Sequence, residues 1–362
     1  MHDWVEVGRM GGLEKVRAAV IGTGAIGRYH IRGFLEHPAC EVPLIVDCNE
    51  SRLMEAAELF RVPETMTDFR GLLERDDIDV VSVALPNDLH AEVTIAMLES
   101  GKHVLCEKPM AVNATEAQSM VDTAKRTGKF LMVGQNFRFE ADTQRLKQCI
   151  EEGALGEIYY ARAYWFRRSG IPRIGSWFTR KAEAAGGCLY DIGVHFLDLA
   201  LHLMGDFEPV SVSGRTFQNF GQRGRGDGTW GMSERDEQRT FDVEDQACAM
   251  IHLAGGRSLS LDVSWAVCAE EASRMGVDLY GTEGGAHLFP AKTFAERGEG
   301  WVARELDKMD LRHPSERMVH FIDCVLGNAE TICPMEESLA VQKILDAIYE
   351  SSRQGREIRF QP

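Results

Sequence analysis

The chain of 362 residues is too long for one ordinary hydrophobic core and suits two domains of typical size. Hydrophobic residues make up 44% and charged residues 27%, the balance of a soluble globular protein. A formal net charge of −16 repels a phosphate backbone, and no Lys/Arg stripe interleaved with aromatics offsets it, which argues against nucleic-acid binding. No apolar run approaches the ~20 residues of a membrane helix. The start, Met1-His2-Asp3-Trp4-Val5-Glu6, lacks the basic and apolar regions of a secretory signal. Nine cysteines are scattered without a CxxC pair, so reduced thiols, a cytoplasmic location and no metal site are expected.

Residues 1–14 show no sustained period and read as an N-terminal arm. From Val16 to Ile21 a short apolar strand runs into Gly22-Thr23-Gly24-Ala25-Ile26-Gly27, and a helix follows through Phe34-Leu35. Val42–Val46 is a second buried strand ending at Asp47, and Ser51 is a plausible cap for a helix over Arg52–Phe60. Asp79–Ala84, His103–Cys106 and Phe130–Gly134 read as further strands, alternating with helices over His90–Ser100 and Thr115–Thr127. Strands apolar throughout and separated by helices predict a doubly wound parallel sheet over residues 15–138.

Beyond Glu140 the character changes. After a helix near Thr143–Glu152, strands of alternating type follow at Ile158–Phe166, Val210–Phe217, Gln246–His252, Arg257–Trp265 and Met275–Tyr280. One helix, Tyr190–Met204, interrupts them; Asn219–Asp245 reads as a long surface loop; a last helix covers Met335–Arg353. Residues 139–362 are thus expected to form an α+β domain on an open, largely antiparallel mixed sheet, an architecture that makes the whole chain α/β in class.

Gly22, Gly24 and Gly27 follow a strand, open a helix and sit in a βαβ unit, with Asp47 ending the next strand 20 positions after Gly27. In such a unit the first glycine permits the tight turn, the second lets a pyrophosphate approach the backbone, and the third lets helix and strand pack closely. The helix N-terminus supplies free N–H groups and partial positive charge to the phosphates. Asp47 would accept hydrogen bonds from the ribose hydroxyls and repel a 2′-phosphate, favouring NAD over NADP, although Arg52 lies close enough to qualify that preference.

Two further segments carry chemistry. In Cys106-Glu107-Lys108-Pro109 the lysine stands at a strand's carboxyl end, where an open parallel sheet binds its ligands. In Gly186-Gly187-Cys188-Leu189-Tyr190-Asp191-Ile192-Gly193-Val194-His195-Phe196-Leu197-Asp198, Asp191 and His195 are i and i+4 on a helix and share a face, which Asp198 extends. A carboxylate beside an imidazole suits a general base working near neutral pH.

These motifs, in this order and separation, resemble the Gfo/Idh/MocA family, the glucose–fructose oxidoreductase and inositol 2-dehydrogenase group. Ala84-Leu85-Pro86-Asn87-Asp88-Leu89-His90, Gly134-Gln135-Asn136-Phe137-Arg138-Phe139 and Tyr280-Gly281-Thr282-Glu283-Gly284-Gly285 extend the likeness. The resemblance implies that Lys108 hydrogen-bonds the reacting hydroxyl, that His195 takes its proton, that Asp191 positions both, and that Asp198 tunes the imidazole. It places Ala84, Pro86, Asn87, His90, Glu107 and Asn136 around the cofactor, and Arg138 near the substrate where the domains meet. Trp165, Trp177, Phe178 and Trp265 are candidates to stack on a sugar ring. The implied activity is NAD-dependent oxidation of a secondary hydroxyl on a sugar, inositol or related polyol by a homo-oligomer. Tightly held, recycled NAD is the alternative, and a non-catalytic dinucleotide-binding sensor the weaker one. The chain departs from the family pattern at Ala84-Leu85-Pro86, where a threonine is usual, and at Cys188, where many members have a third glycine.

Overall fold

A computed structural model of the chain describes residues 15–298, 300–306 and 316–361; the N-terminal arm lies outside them. The chain divides into two compact units, one comprising residues up to Gly134 together with Glu316–Leu339, the other Gln135–Ser315 with Ala340–Pro362.

The first unit holds a six-stranded parallel sheet: β1 (Val16–Ile21), β2 (Cys40–Val46), β3 (Glu64–Met66), β4 (Val80–Val83), β5 (His103–Cys106) and β6 (Leu131–Val133). Their order, β3-β2-β1-β4-β5-β6, is that of a doubly wound dinucleotide-binding sheet, with its switch point between β1 and β4. All four residues of β4 and of β5 are buried, because helices cover both faces. The sequence-based elements reappear within a residue or two. The cap of the second helix differs: Asn49, not Ser51, accepts the Arg52 N–H at 3.0 Å, and the helix runs Glu50–Phe60.

The expectation of a second domain running unbroken to the C-terminus needs correction. Helix Arg317–Val325 belongs to the first unit, where Phe321 packs on Phe34 and Phe130 and Met318 fills the space beside Gly33. That burial of apolar surface draws the segment back to the parallel sheet.

The second unit is built on nine strands: β7 (Ile158–Arg167), β8 (Pro209–Phe217), β9 (Gln246–Leu253), β10 (Ser258–Ser264), β11 (Ser273–Gly281), β12 (Gly285–Leu288), β13 (Lys292–Arg297), β14 (Gly300–Glu305) and β15 (Ile358–Arg359). The order is β14-β13-β12-β11-β7-β10-β9-β8-β15, antiparallel except between β7 and β10. Period-2 alternation turns Ala161, Ala163, Leu259, Leu261, Val263, Ala247, Ala249 and Ile251 to one buried face. Helix Val194–Met204 is buried nearly all round, as a helix apolar on every side must be. The span Lys181–Met204 passes a membrane helix's test of length and mean hydropathy, but 89% of its apolar window is buried within the protein, which makes it core.

Candidate functional site

The switch-point turn is dictated by close backbone approach. Gly22 has φ of 93°, and a Cβ there would lie 2.2 Å from the Ala84 carbonyl oxygen; one at Gly27 would lie 1.7 Å from the Gly22 oxygen. Gly24 differs: among the described residues no atom lies within 4 Å of a Cβ built on it, so none of them requires glycine there. Helix Ala25–Glu36 begins at Gly24 with no side-chain cap and no acidic residue in its first turn. Bare backbone N–H groups and a positive dipole end therefore face open space, with Ala25 exposed and Ile26 half-buried, and this fits a pyrophosphate.

Asp47 is more fully engaged than expected. It is buried, and its carboxylate accepts from the Thr23 N–H (2.7 Å) and hydroxyl (2.9 Å), the Asn49 N–H (2.9 Å), and Arg52 Nε (2.9 Å) and Nη2 (2.7 Å). Burial works to raise its pKa, but the Arg52 hydrogen bonds and the backbone N–H groups outweigh it and hold the carboxyl below the usual range. Arg52, the residue that qualified the preference for NAD, pairs bidentately with Asp47 and offsets part of its charge.

Two residues assigned to the cofactor cleft are turned inward instead. Glu107 accepts from Arg317 Nη2 and pairs with His30 Nε2 at 2.9 Å; His30 Nδ1 in turn meets Ser82 Oγ at 2.5 Å, and Arg317 Nη1 donates to the Gly134 carbonyl at 2.7 Å. Burial opposes ionisation of Glu107, yet the Arg317 charge and His30 prevail and its pKa is lowered; His30, fully buried, is lowered mainly by desolvation. His90 is also fully buried, its ring nitrogens 2.7 Å from the Pro109 oxygen and 2.9 Å from the Leu85 oxygen. It buckles the loop after β4 to the loop after β5. Ala84 and Pro86 remain half-buried at the end of β4, and Asn87 is buried at the head of a short 3₁₀ turn. Lys108 stands half-buried just past β5, and its N–H donates to Glu107 Oε2 at 3.1 Å.

In the second unit Asp191 lies on a π-helical turn, Leu189–Gly193, that leads into helix Val194–Met204 and His195. Such turns are frequent at functional sites. Asp191 Oδ2 accepts from the indole N–H of Trp265 at 2.8 Å, and the Phe137 ring meets the His195 ring edge-to-face at 5.1 Å. The entry to the turn is fixed by Glu244, a buried residue that the sequence reading placed in a plain loop. It accepts the N–H groups of Gly187 and Leu189 and the Tyr349 hydroxyl at 2.8–2.9 Å. A Cβ on Gly187 would lie 2.0 Å from the Glu244 backbone oxygen. Desolvation raises the Glu244 pKa against the pull of those donors.

Asp198, expected to tune the imidazole, and Arg138, expected near the substrate, are found paired with each other. Both are buried, and Arg138 grips Asp198 through Nε (2.8 Å) and Nη2 (2.5 Å). Two ions taken out of water must pair, and these two satisfy each other. Trp265 is fully buried and serves Asp191, while Trp177 and Phe178 stack on one another at 3.8 Å. Trp165 is half-buried beside Phe137 and Phe196; Asn136 opens the 3₁₀ turn Asn136–Phe139 of the second unit. Arg167, at the end of β7, was missed: its guanidinium lies 4.2 Å from the Trp165 ring centroid.

Residues 16–135 match the family model for an oxidoreductase family with an NAD-binding Rossmann fold, and residues 143–287 match the GFO/IDH/MocA C-terminal domain. The chain belongs to the GFO/IDH/MocA oxidoreductase family. Within that family it is 34% identical to D-glucoside 3-dehydrogenase of Escherichia coli, over 95% of this chain and 97% of that one. It is 31% identical to levoglucosan dehydrogenase of Pseudarthrobacter phenanthrenivorans, over 83% and 79%. A solved levoglucosan dehydrogenase in complex with NADH and levoglucosan superposes with a TM-score of 0.81 at 25% identity, covering 96% of this chain and 100% of that one. These GFO/IDH/MocA relatives are sugar dehydrogenases, and the first unit of this chain is an NAD-binding Rossmann domain.

Proposed function

We propose that the protein is an NAD-dependent dehydrogenase that oxidises a ring secondary hydroxyl of a glucoside-like sugar or polyol, with the C3 hydroxyl of a glucoside the first position to test. The observation that carries this reading is the Asp191–His195 pair, on consecutive turns with one carboxylate oxygen already held by Trp265. The likeness to D-glucoside 3-dehydrogenase and levoglucosan dehydrogenase supports the substrate class.

Gly22, Thr23, Gly24, Ala25, Ile26 and Gly27 hold the dinucleotide at the uncapped helix, with Asp47 and Arg52 at its ribose end. NAD, when bound, supplies the hydride acceptor. His195 accepts the hydroxyl proton as the C–H bond gives up its hydride, so that alcohol becomes ketone and the proton passes to the imidazole. Lys108 donates to the hydroxyl oxygen and stabilises the negative charge that develops there. Asp191, pinned by the indole, orients the hydroxyl.

The test follows absorbance and fluorescence of the purified protein before and after denaturation, then with added NAD and methyl β-D-glucoside, levoglucosan or myo-inositol. NADH accumulation with one of them supports the reading. Cofactor released only by denaturation moves the assignment to in-place recycling and paired sugar substrates. His195→Ala should cut turnover by roughly 10²- to 10⁴-fold while NAD affinity holds; unchanged turnover removes His195 from the chemistry.

A further inference from the structure

The inner face of β7 reads Ala161, Ala163, Trp165, Arg167, three apolar positions and then a cation. Parallel pairing sets Leu259 beside Ala161, Leu261 beside Ala163 and Val263 beside Trp165. The pairing ends at Ser264 beside Phe166, one residue before Arg167 on β7 and one before Trp265, whose indole holds Asp191. The guanidinium lies over the Trp165 ring, which fixes its plane, and leaves its N–H groups directed outward from the edges. Among the described residues its one hydrogen bond goes to the Gly170 carbonyl at 3.5 Å, the limit of such a contact, and no carboxylate stands within ion-pair distance. Burial works against its charge, while the nearby Asp191 carboxylate supports it through space.

Among the described residues no Arg167 nitrogen is both buried and unpartnered, so its remaining N–H groups reach solvent-accessible space, where a ligand oxygen can take the place of water. We infer that Arg167 is a specificity-determining residue, donating to the hydroxyl oxygen on the carbon next to the one oxidised, so that Arg167 and Asp191 together recognise a neutral vicinal diol. This rests on the assignment of Asp191 and His195 to hydroxyl oxidation. Each hydroxyl of a diol both donates and accepts, which matches an acceptor carboxylate and a donor guanidinium set side by side. A carboxylate-bearing substrate fits less well, because Asp191 would repel it.

The experiment compares wild type, Arg167→Gln and Arg167→Lys at saturating NAD with methyl β-D-glucoside and its 2-deoxy and 4-deoxy analogues. Arg167→Gln should raise KM for the parent glucoside by about 10- to 100-fold, the worth of a hydrogen bond to a charged group, with the loss falling on KM more than on kcat. One deoxy analogue, already poor for wild type, should lose less than about threefold further, because the bond that Arg167 made is already absent. Arg167→Lys should recover part of the KM. A KM that does not change, or an equal further loss on the parent and both analogues, overturns the assignment. NAD titration of each variant by fluorescence separates misfolding from lost recognition, and where Arg167→Gln fails to bind NAD the Lys variant carries the comparison. If wild type oxidises none of the glucoside, levoglucosan and myo-inositol, the dehydrogenase reading falls and this one with it. If wild type is active and the variants are indifferent to the deoxy substitution, this assignment alone falls.

Discussion

Two glycine-led turns do opposite things with the same backbone resource. Both open helical segments, and both expose N–H groups that have no partner within the helix. At Gly22–Gly27 no side chain caps them, and among the described residues Gly24 has no neighbour that would exclude a Cβ. At Gly186–Gly187 the Glu244 carboxylate takes the N–H groups of Gly187 and Leu189, and both glycines are pressed against protein atoms, Tyr349 Oη and the Glu244 oxygen, each 2.0 Å from a built Cβ. The first turn waits for an acceptor from outside and is built for recognition. The second carries its acceptor and is built to hold Asp191 and His195 still. At Gly24 it is the uncapped helix N-terminus together with the absent steric reason that marks a ligand site.

The largest expected effects test the steric half of that contrast. Gly27→Ala and Gly187→Ala each drive a Cβ into backbone oxygen, at 1.7 and 2.0 Å, where no rotamer change relieves the clash. Each should cost about 3 kcal/mol or more in urea unfolding. A cost below ~0.5 kcal/mol for either would remove the steric argument. Gly24→Ala sharpens the comparison from the other side. Its stability should stay within about 0.5 kcal/mol of wild type, since no atom of the described residues lies within 4 Å of the added methyl. NAD affinity, read by NADH fluorescence titration, should nevertheless fall by about tenfold or more, because the methyl stands where the pyrophosphate approaches the helix. A variant that loses stability without losing affinity would make Gly24 structural.

The two units were not equally legible in the sequence, and for a physical reason. Strands buried on both faces write themselves as apolar runs, so β1, β2, β4, β5 and β6 stood out; the edge strand Glu64-Thr65-Met66, short and mostly exposed, did not. The exposed β14 and the part-exposed β13 also escaped, since neither is buried on both faces and so neither shows as an apolar run. Motif residues were legible, but their partners were not. Asp198 sits one helical turn from His195, yet its charge is taken by Arg138, 60 residues away, and Glu244 is reached from Leu189 across 55 residues. Arg317, which fixes Glu107 from 210 residues downstream, has no local pattern at all. Period-2 burial along β7 was the one signal that could have raised Arg167, since it places a cation on a face otherwise apolar.

The smallest expected effect concerns the two buried carboxylates, which should respond to pH with opposite signs. Glu107 is paired with a cation and its pKa is lowered; Glu244 is held by neutral donors and its pKa is raised. A depressed carboxyl contributes stability that is present above its unfolded value and lost as pH falls through the folded one. A raised carboxyl contributes stability that is complete below its unfolded value and lost as pH rises through the folded one. Each slope is bounded at roughly 1.4 kcal/mol per pH unit, the limit for one proton. The local readouts are the amides bonded to each group, Lys108 N–H for Glu107 and Leu189 N–H for Glu244. Their exchange protection reports each unit separately, which global unfolding of a two-unit chain does not. Protection of Lys108 should weaken toward acid in wild type and lose that dependence in Glu107→Gln. Protection of Leu189 should weaken from the carboxylate range upward and become flat in Glu244→Gln. Slopes of the same sign would mean that Glu244 is stabilised as an anion by its N–H donors as fully as Glu107 is by Arg317, and the opposed responses of the two carboxyls would not hold.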